Sequence, residues 1–300
     1  MKKLFFTALA LSMALLGKAQ LVEVASMERV ATPEGLVSEI ATISPDGSFA
    51  IVGQLGNSQL TKVDLSNGST EVVATNGNAF DVAISPDGAN LVYRTTAYSS
   101  NHLRLTGINS VNLVNGSEKQ LVKPSRKLNA GVAVNATGIT AVENGKQRVK
   151  AFGSAKATAI PVASIHYGHL NVTVNGKTKT IDPQGKGSYL WPSISPDGTK
   201  VVYCLSGKGT FVCDLNGGNV RKIGYMHAAK WLGDDMVVGM ADYDNGHEYT
   251  SSTIVVSNLN GVKQTITNDD MIALYPSASA DGKNLVFSTS EGALYRVNLK

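Results

Sequence analysis

The sequence predicts an all-β fold: a six-bladed β-propeller of four-stranded antiparallel blades, closed by pairing the N- and C-terminal strands. Three observations carry that expectation. A Ser-Pro-Asp-Gly turn recurs between short apolar runs. Asn-Gly turns recur between the runs that follow. Turn markers at positions 46, 87, 137, 197, 234 and 281 are spaced 47 residues apart on average, and a four-stranded blade takes roughly 40–50 residues. The 281 residues from position 20 onward then divide into six units.

The first 19 residues read as an address. Lys2 and Lys3 precede the apolar run Leu4–Leu16, and Gly17 and Ala19 place small residues before a cleavage point. That is the pattern of a cleaved secretory signal peptide, with an apolar run shorter than the ~20 residues that span a bilayer. No cysteine stands near the cleavage point to carry a lipid. Loss of Lys2, Lys3 and Lys18 takes the formal charge from +4 to +1. A near-neutral chain has no field suited to gripping polyphosphate, so no nucleic acid partner is expected. With 43% hydrophobic and 17% charged residues the chain is not disordered, and two cysteines cannot staple a mini-scaffold.

The marker turns come next. Ser44-Pro45-Asp46-Gly47 recurs at 85–88 and 195–198, and Ser279-Ala280-Asp281-Gly282 is a fourth copy with one change. Pro presets φ, Asp bonds nearby backbone amides and Gly accepts positive φ, so each copy reads as a tight turn between strands. Weaker copies stand at Val134–Gly138 and Trp231–Asp235. Each unit ends in a second hairpin, for example around Asn67-Gly68, Asn216-Gly217 and Asn260-Gly261, the strongest short hairpin signal. The unit between 137 and 197 is the longest at 60 residues, with a hairpin around Asn175-Gly176. Its excess reads as a long connection or an extra hairpin. The last unit stops after a third strand, and residues 21–30 are expected to supply its outer strand, removing two open sheet edges.

The run Tyr189-Leu190-Trp191-Pro192-Ser193-Ile194-Ser195-Pro196-Asp197-Gly198, with a second copy at 274–282, resembles the repeat of TolB-like propellers of the bacterial cell envelope. The resemblance covers most of 36–300. It implies a propeller, and a place among partner-binding platforms, peptidase appendages and a few lyases.

In a propeller, connections between units and between the second and third strands gather on one face around the central channel, opposite the marker turns. Connections carry function more often than blade strands do. The candidate ligand- or partner-binding rim is Arg126, Lys127, Tyr189, Trp191, Tyr225, His227, Asp242, His247 and Tyr275, with Asp269 and Asp270 nearby. The same aromatic residues could instead plug the channel or pack between blades. Asp242, Asp244 and Glu248 offer oxygens for Ca²⁺, but their spacing is not that of an EF-hand and a solvated hairpin also accounts for them. His166 and His169 stand three apart in strand-like surroundings, where such residues point oppositely, so no metal site is expected there. Cys204 and Cys213 lie on successive strands, as a candidate disulfide or as two buried thiols. Nucleophile-elbow, dinucleotide and P-loop motifs are missing from the sequence, and no catalytic residue or cofactor is expected.

The resulting expectation is a periplasmic or secreted, monomeric, non-catalytic platform. It would bind an envelope protein, a peptide or a glycan. The alternative is an enzyme acting on a polysaccharide or ester, with a metal held by His and carboxylates converging at the channel rim.

Overall fold

A computed structural model describes residues 20–54, 59–75 and 79–300, and the expected signal peptide lies outside the described residues. Among the described residues no helix is long and apolar enough to cross a membrane.

These residues form seven antiparallel sheets, each a blade, arranged in a ring. Blade I comprises Ile40–Ile43, Phe49–Gly53, Leu60–Asp64 and Thr70–Ala74. Blade II comprises Phe80–Ile84, Asn90–Tyr98, Arg104–Asn112 and Glu118–Ser125. Blades III and IV have three strands each: Ala133–Asn135, Gly138–Glu143 and Lys146–Ala151, then Val162–His166, His169–Val174 and Lys177–Thr180. Blade V holds Tyr189–Ile194, Lys200–Leu205, Gly209–Asp214 and Arg221–Gly224. Blade VI holds His227–Leu232, Met236–Asp244, Tyr249–Asn258 and Lys263–Thr265. Blade VII holds Ala273–Ala278, Asn284–Thr289 and Leu294–Leu299.

The outer strand of blade VII is Val24–Arg29, which pairs with the C-terminal strand from Val24↔Leu299 to Arg29↔Tyr295. Val24–Arg29 and the C-terminal strand therefore share one sheet, in which Val24–Arg29 covers the edge of Leu294–Leu299 and becomes the outer strand itself.

The count of seven corrects the expected six. The extra sheet sits in the long unit between 137 and 197, and blade IV has no marker turn of its own. Strand parity explains how the ring absorbs it. A four-stranded blade returns the chain to the face it started from; a three-stranded blade leaves it on the opposite face. The first strand of blade IV then runs against that of blade III, and Ala130 and Ile165 form an antiparallel bridge there. A second three-stranded blade restores the direction before blade V.

The marker turns show why their residues recur. The Ser44 hydroxyl donates to Asp46 Oδ1 at 2.6 Å and accepts from Phe49 N at 3.0 Å, while Gly47 holds φ 73°. Ser195, Asp197, Lys200 and Gly198 repeat this arrangement, as do Ser279, Asp281, Asn284 and Gly282. In each, the serine bridges a carboxylate and a backbone amide that would otherwise lose its partner on leaving water.

Six apolar clusters occupy the seams between neighbouring blades. Second strands feed two seams at once: Val201 and Tyr203 pack toward blade IV and Val202 toward blade VI. Side chains alternate faces along a strand, so a strand buried on both faces reads as an unbroken apolar run.

Candidate functional site

First strands in blades II, V, VI and VII share an irregularity near the end where the chain enters from the preceding blade. Register slips between Phe80 and Ala83, Leu190 and Ser193, His227 and Lys230, and Leu274 and Ser277. Within each slip one non-glycine residue adopts left-handed backbone: Asp81 at φ 52°, Trp191 at 46°, Ala228 at 48° and Tyr275 at 51°. Such a conformation costs about 1–3 kcal/mol per residue, and bulges re-aim side chains at sheet ends. Trp191 and Tyr275 each precede a proline, which disfavours right-handed helical backbone at that position.

Blade VI supplies the centre of the site. His227 opens its first strand opposite Met240, and Asp242 lies two residues farther along the second strand, on the same face. His227 Nδ1 lies 3.0 Å from Asp242 Oδ2, its hydrogen-bond partner, and 2.9 Å from Oδ1. The Asp242 side chain is only 3% exposed and its Oδ1 accepts no hydrogen bond, whereas the His227 side chain is 28% exposed. In a neutral imidazole the carboxylate selects the tautomer with the proton on Nδ1, which leaves Nε2 as an acceptor. Gly239 permits the arrangement: a Cβ there would stand 2.9 Å from Met226 Sδ and 3.0 Å from the His227 carbonyl oxygen.

Aromatic rings border the dyad. The Trp191 ring centroid lies 5.2 Å from that of His227, and the Tyr225 centroid 6.1 Å away. Trp191 is 42% exposed and Tyr225 51%. On the blade VII side the hydroxyls of Tyr249 and half-buried Tyr275 lie 3.1 Å apart. Burial, the Tyr275 hydroxyl and the Asp242 charge all push the Tyr249 phenol well above its ordinary pKa. Trp191, Tyr225, His227, Asp242 and Tyr275 thus belong to one rim sector from blade V to blade VII.

The other candidate residues lie elsewhere. Arg126 and Lys127 are exposed in the turn between blades II and III. His247 is exposed at the tip of the 242–249 hairpin. Tyr189 is not a rim residue: it is fully buried against Tyr203, and its hydroxyl donates to Gly185 O and accepts from Gln184 N. Asp242 turns inward to His227 while Asp244 accepts from Gly246 N, so no oxygen cage forms with Glu248. Among the described residues no three His, Cys, Asp or Glu side chains are grouped to hold a metal ion.

His166 and His169 are directly paired across the Tyr167-Gly168 turn, not on opposite faces, because the strand reverses between them. His169 Nδ1 lies 2.6 Å from Asp182 Oδ2, a partner thirteen residues away that local sequence did not indicate.

The cysteines are free and buried, not bridged. The connection is the three residues Ser206-Gly207-Lys208, which pairs Cys204 with Thr210 and Cys213 with Val201. That register leaves the thiols three positions apart on opposite faces of the blade, and burial raises them to about 11 and about 12.

Sequence reasoning also missed a cluster at the equivalent end of blade II. Buried Arg94 lies 3.6 Å from Asp81, and Arg94 and Arg104 both stack on Phe80 at 5.4 and 5.2 Å. Only the bulge, invisible locally, brings Asp81 to Arg94.

No family model and no curated protein matches the chain. Solved structures do. A chain of a mitotic checkpoint complex matches with a TM-score of 0.61 at 11% identity, covering 99% of this chain and 98% of that one. An oligogalacturonate lyase from Vibrio parahaemolyticus matches with a TM-score of 0.48 at 13% identity, covering 89% and 79%. The first of these likenesses shows the β-propeller fold, and its identity is too low to show more.

Proposed function

We propose that the chain is an exported, monomeric, TolB-like binding platform of the cell envelope. It engages an envelope protein or peptide through the rim of blades V to VII. The observation that carries this reading is the contiguous set of Trp191, Tyr225, His227 and Tyr275, with two large aromatic rings left in solvent beside a buried carboxylate. Rigid aromatic anchors around a polar centre are what protein and peptide interfaces use as hot spots. The SPDG turns and the N-terminal leader pattern support the envelope assignment.

The test is in-cell crosslinking of the tagged full chain in its native host, followed by identification of what co-purifies from the envelope. A stoichiometric protein partner, lost with Trp191→Ala and His227→Ala and retained with Lys156→Ala at an exposed position of the connection between blades III and IV, is the expected result. Failure to recover any protein, together with turnover of a glycan or ester by the purified chain, overturns the platform reading in favour of an enzyme.

A further inference from the structure

The geometry points to the His227–Asp242 dyad and its two flanking rings as a socket for a basic side chain, an arginine guanidinium or lysine ammonium, presented by the partner. This rests on the platform reading and names what the platform recognises.

The argument begins with charge. Asp242 is a carboxylate whose side chain is almost entirely out of water, and one of its oxygens accepts no hydrogen bond. The dyad passes its negative field outward through the imidazole: with the Nδ1 proton held by Asp242, Nε2 presents a lone pair. Among the described residues no donor occupies Nε2. A cationic N–H donor placed there gains a charge-assisted bond with the carboxylate behind it. A carboxylate ligand in the same place would meet that lone pair and the Asp242 charge.

The flanking rings favour the same class. Trp191 and Tyr225 stand at 5.2 and 6.1 Å from the imidazole, tilted 49° and 56° to it. Both rings border the imidazole and are partly exposed, and a cation near a Trp or Tyr face is attracted by the ring quadrupole. The neighbouring hairpin adds Asp244 and Glu248, and the approach to blade VII adds Asp269 and Asp270, all exposed. Arginine suits the site better than lysine, because a planar guanidinium both stacks and donates in a fixed direction.

The probes are fluorescein-labelled pentaarginine, pentalysine and pentaglutamate, titrated against the full chain by fluorescence anisotropy. Maltohexaose is titrated by quenching of tryptophan emission, because Trp191 is exposed while Trp231 is buried. Pentaarginine should bind most tightly and pentaglutamate not at all. Asp242→Asn and Trp191→Ala should each weaken pentaarginine about tenfold, in line with the loss of one charged contact or one cation–π face. Glu71→Gln, exposed on the outer strand of blade I, should change it less than twofold.

Because Asp242→Asn could disturb folding, Tyr225→Ala at the exposed ring gives an independent variant, and thermal unfolding of each variant is recorded. Equal pentaarginine binding by wild type, Trp191→Ala and Tyr225→Ala overturns the socket, as does preference for pentaglutamate or maltohexaose. If pentaarginine fails to bind while the crosslinked partner is still lost with Trp191→Ala, the platform stands and the basic-side-chain specificity falls.

Discussion

The seam between blades III and IV differs in kind from the seam between blades IV and V. The latter is an apolar slab: Leu170, Val172, Tyr189, Val201, Tyr203, Phe211 and Cys213 are all buried there, and Tyr203 stacks on Phe211 at 5.7 Å. No comparable apolar cluster bridges III and IV among the described residues. That seam is joined by the Ala130–Ile165 backbone bridge and by buried Asn129, whose side-chain amide donates to Ser164 Oγ at 3.2 Å. A Cβ on Gly131 would stand 2.5 Å from the Ala163 carbonyl oxygen, so backbones meet where side chains meet elsewhere. The difference teaches that a ring can close through one polar, backbone-bonded seam if its other seams bury enough apolar area, since association of blades is driven by the latter.

That comparison can be broken most directly at its apolar side. Tyr203→Ala should cost about 3–5 kcal/mol, the usual range for deleting a buried aromatic side chain. The measurement is a urea unfolding midpoint with an unchanged slope. A cost under 1 kcal/mol would mean that the IV–V slab is not a stabilising element of the ring.

Gly239→Ala, in a regular blade, should cost about 1–3 kcal/mol by overpacking against Met226 and the His227 carbonyl. It should weaken partner capture along with stability, because it moves the strand that carries His227. Unaltered capture at lowered stability would separate the glycine from the site.

At the polar seam, Asn129→Ala should cost only about 1 kcal/mol, the net worth of an ordinary hydrogen bond. Native-state hydrogen exchange sharpens the point: the Ala130 and Ile165 amides should exchange at lower protection than those of Val202 and Val212. Equal protection would abolish the contrast between the seams.

The smallest effect concerns the marker turns. The Ser44 hydroxyl holds Asp46 below the ordinary carboxylate range, and the Ser195 hydroxyl, followed by the Lys200 ammonium, does the same for Asp197. A carboxylate whose folded-state pKa is depressed stabilises the fold above its unfolded value near 3.8 and loses that contribution as pH falls below it. Asp197→Asn should therefore flatten the fall of the unfolding midpoint between pH 5 and 3 by a small, reproducible amount. An identical acid profile in wild type and variant would remove the turns from the acid response.

What was legible in the sequence follows the same division. The marker turns, the Asn-Gly hairpins and the sharing of blade VII by both chain ends could be read directly, and each is present. Their determinants are local or lie at the ends of the chain. Ser, Pro, Asp and Gly decide a turn by hydrogen bonds and φ preferences within about five residues, and an unfinished last unit calls for a strand. Trp191, Tyr225, His227, Asp242 and Tyr275 were singled out as polar and aromatic residues of connections; the structure brings them into one sector but sets all except Tyr225 within the ends of strands.

Tertiary structure decided the rest. The seventh blade was hidden because blades III and IV each lack a strand, and blade IV reverses direction without a marker turn. The cysteines are kept apart by the three-residue connection between their strands, whose register turns the two side chains to opposite faces. The pairing of His227 with Asp242 depends on a bulge and on packing against Gly239. Local chain stiffness and turn chemistry are written in consecutive residues, whereas blade number, register and the meeting of distant side chains depend on which seams close around the whole ring.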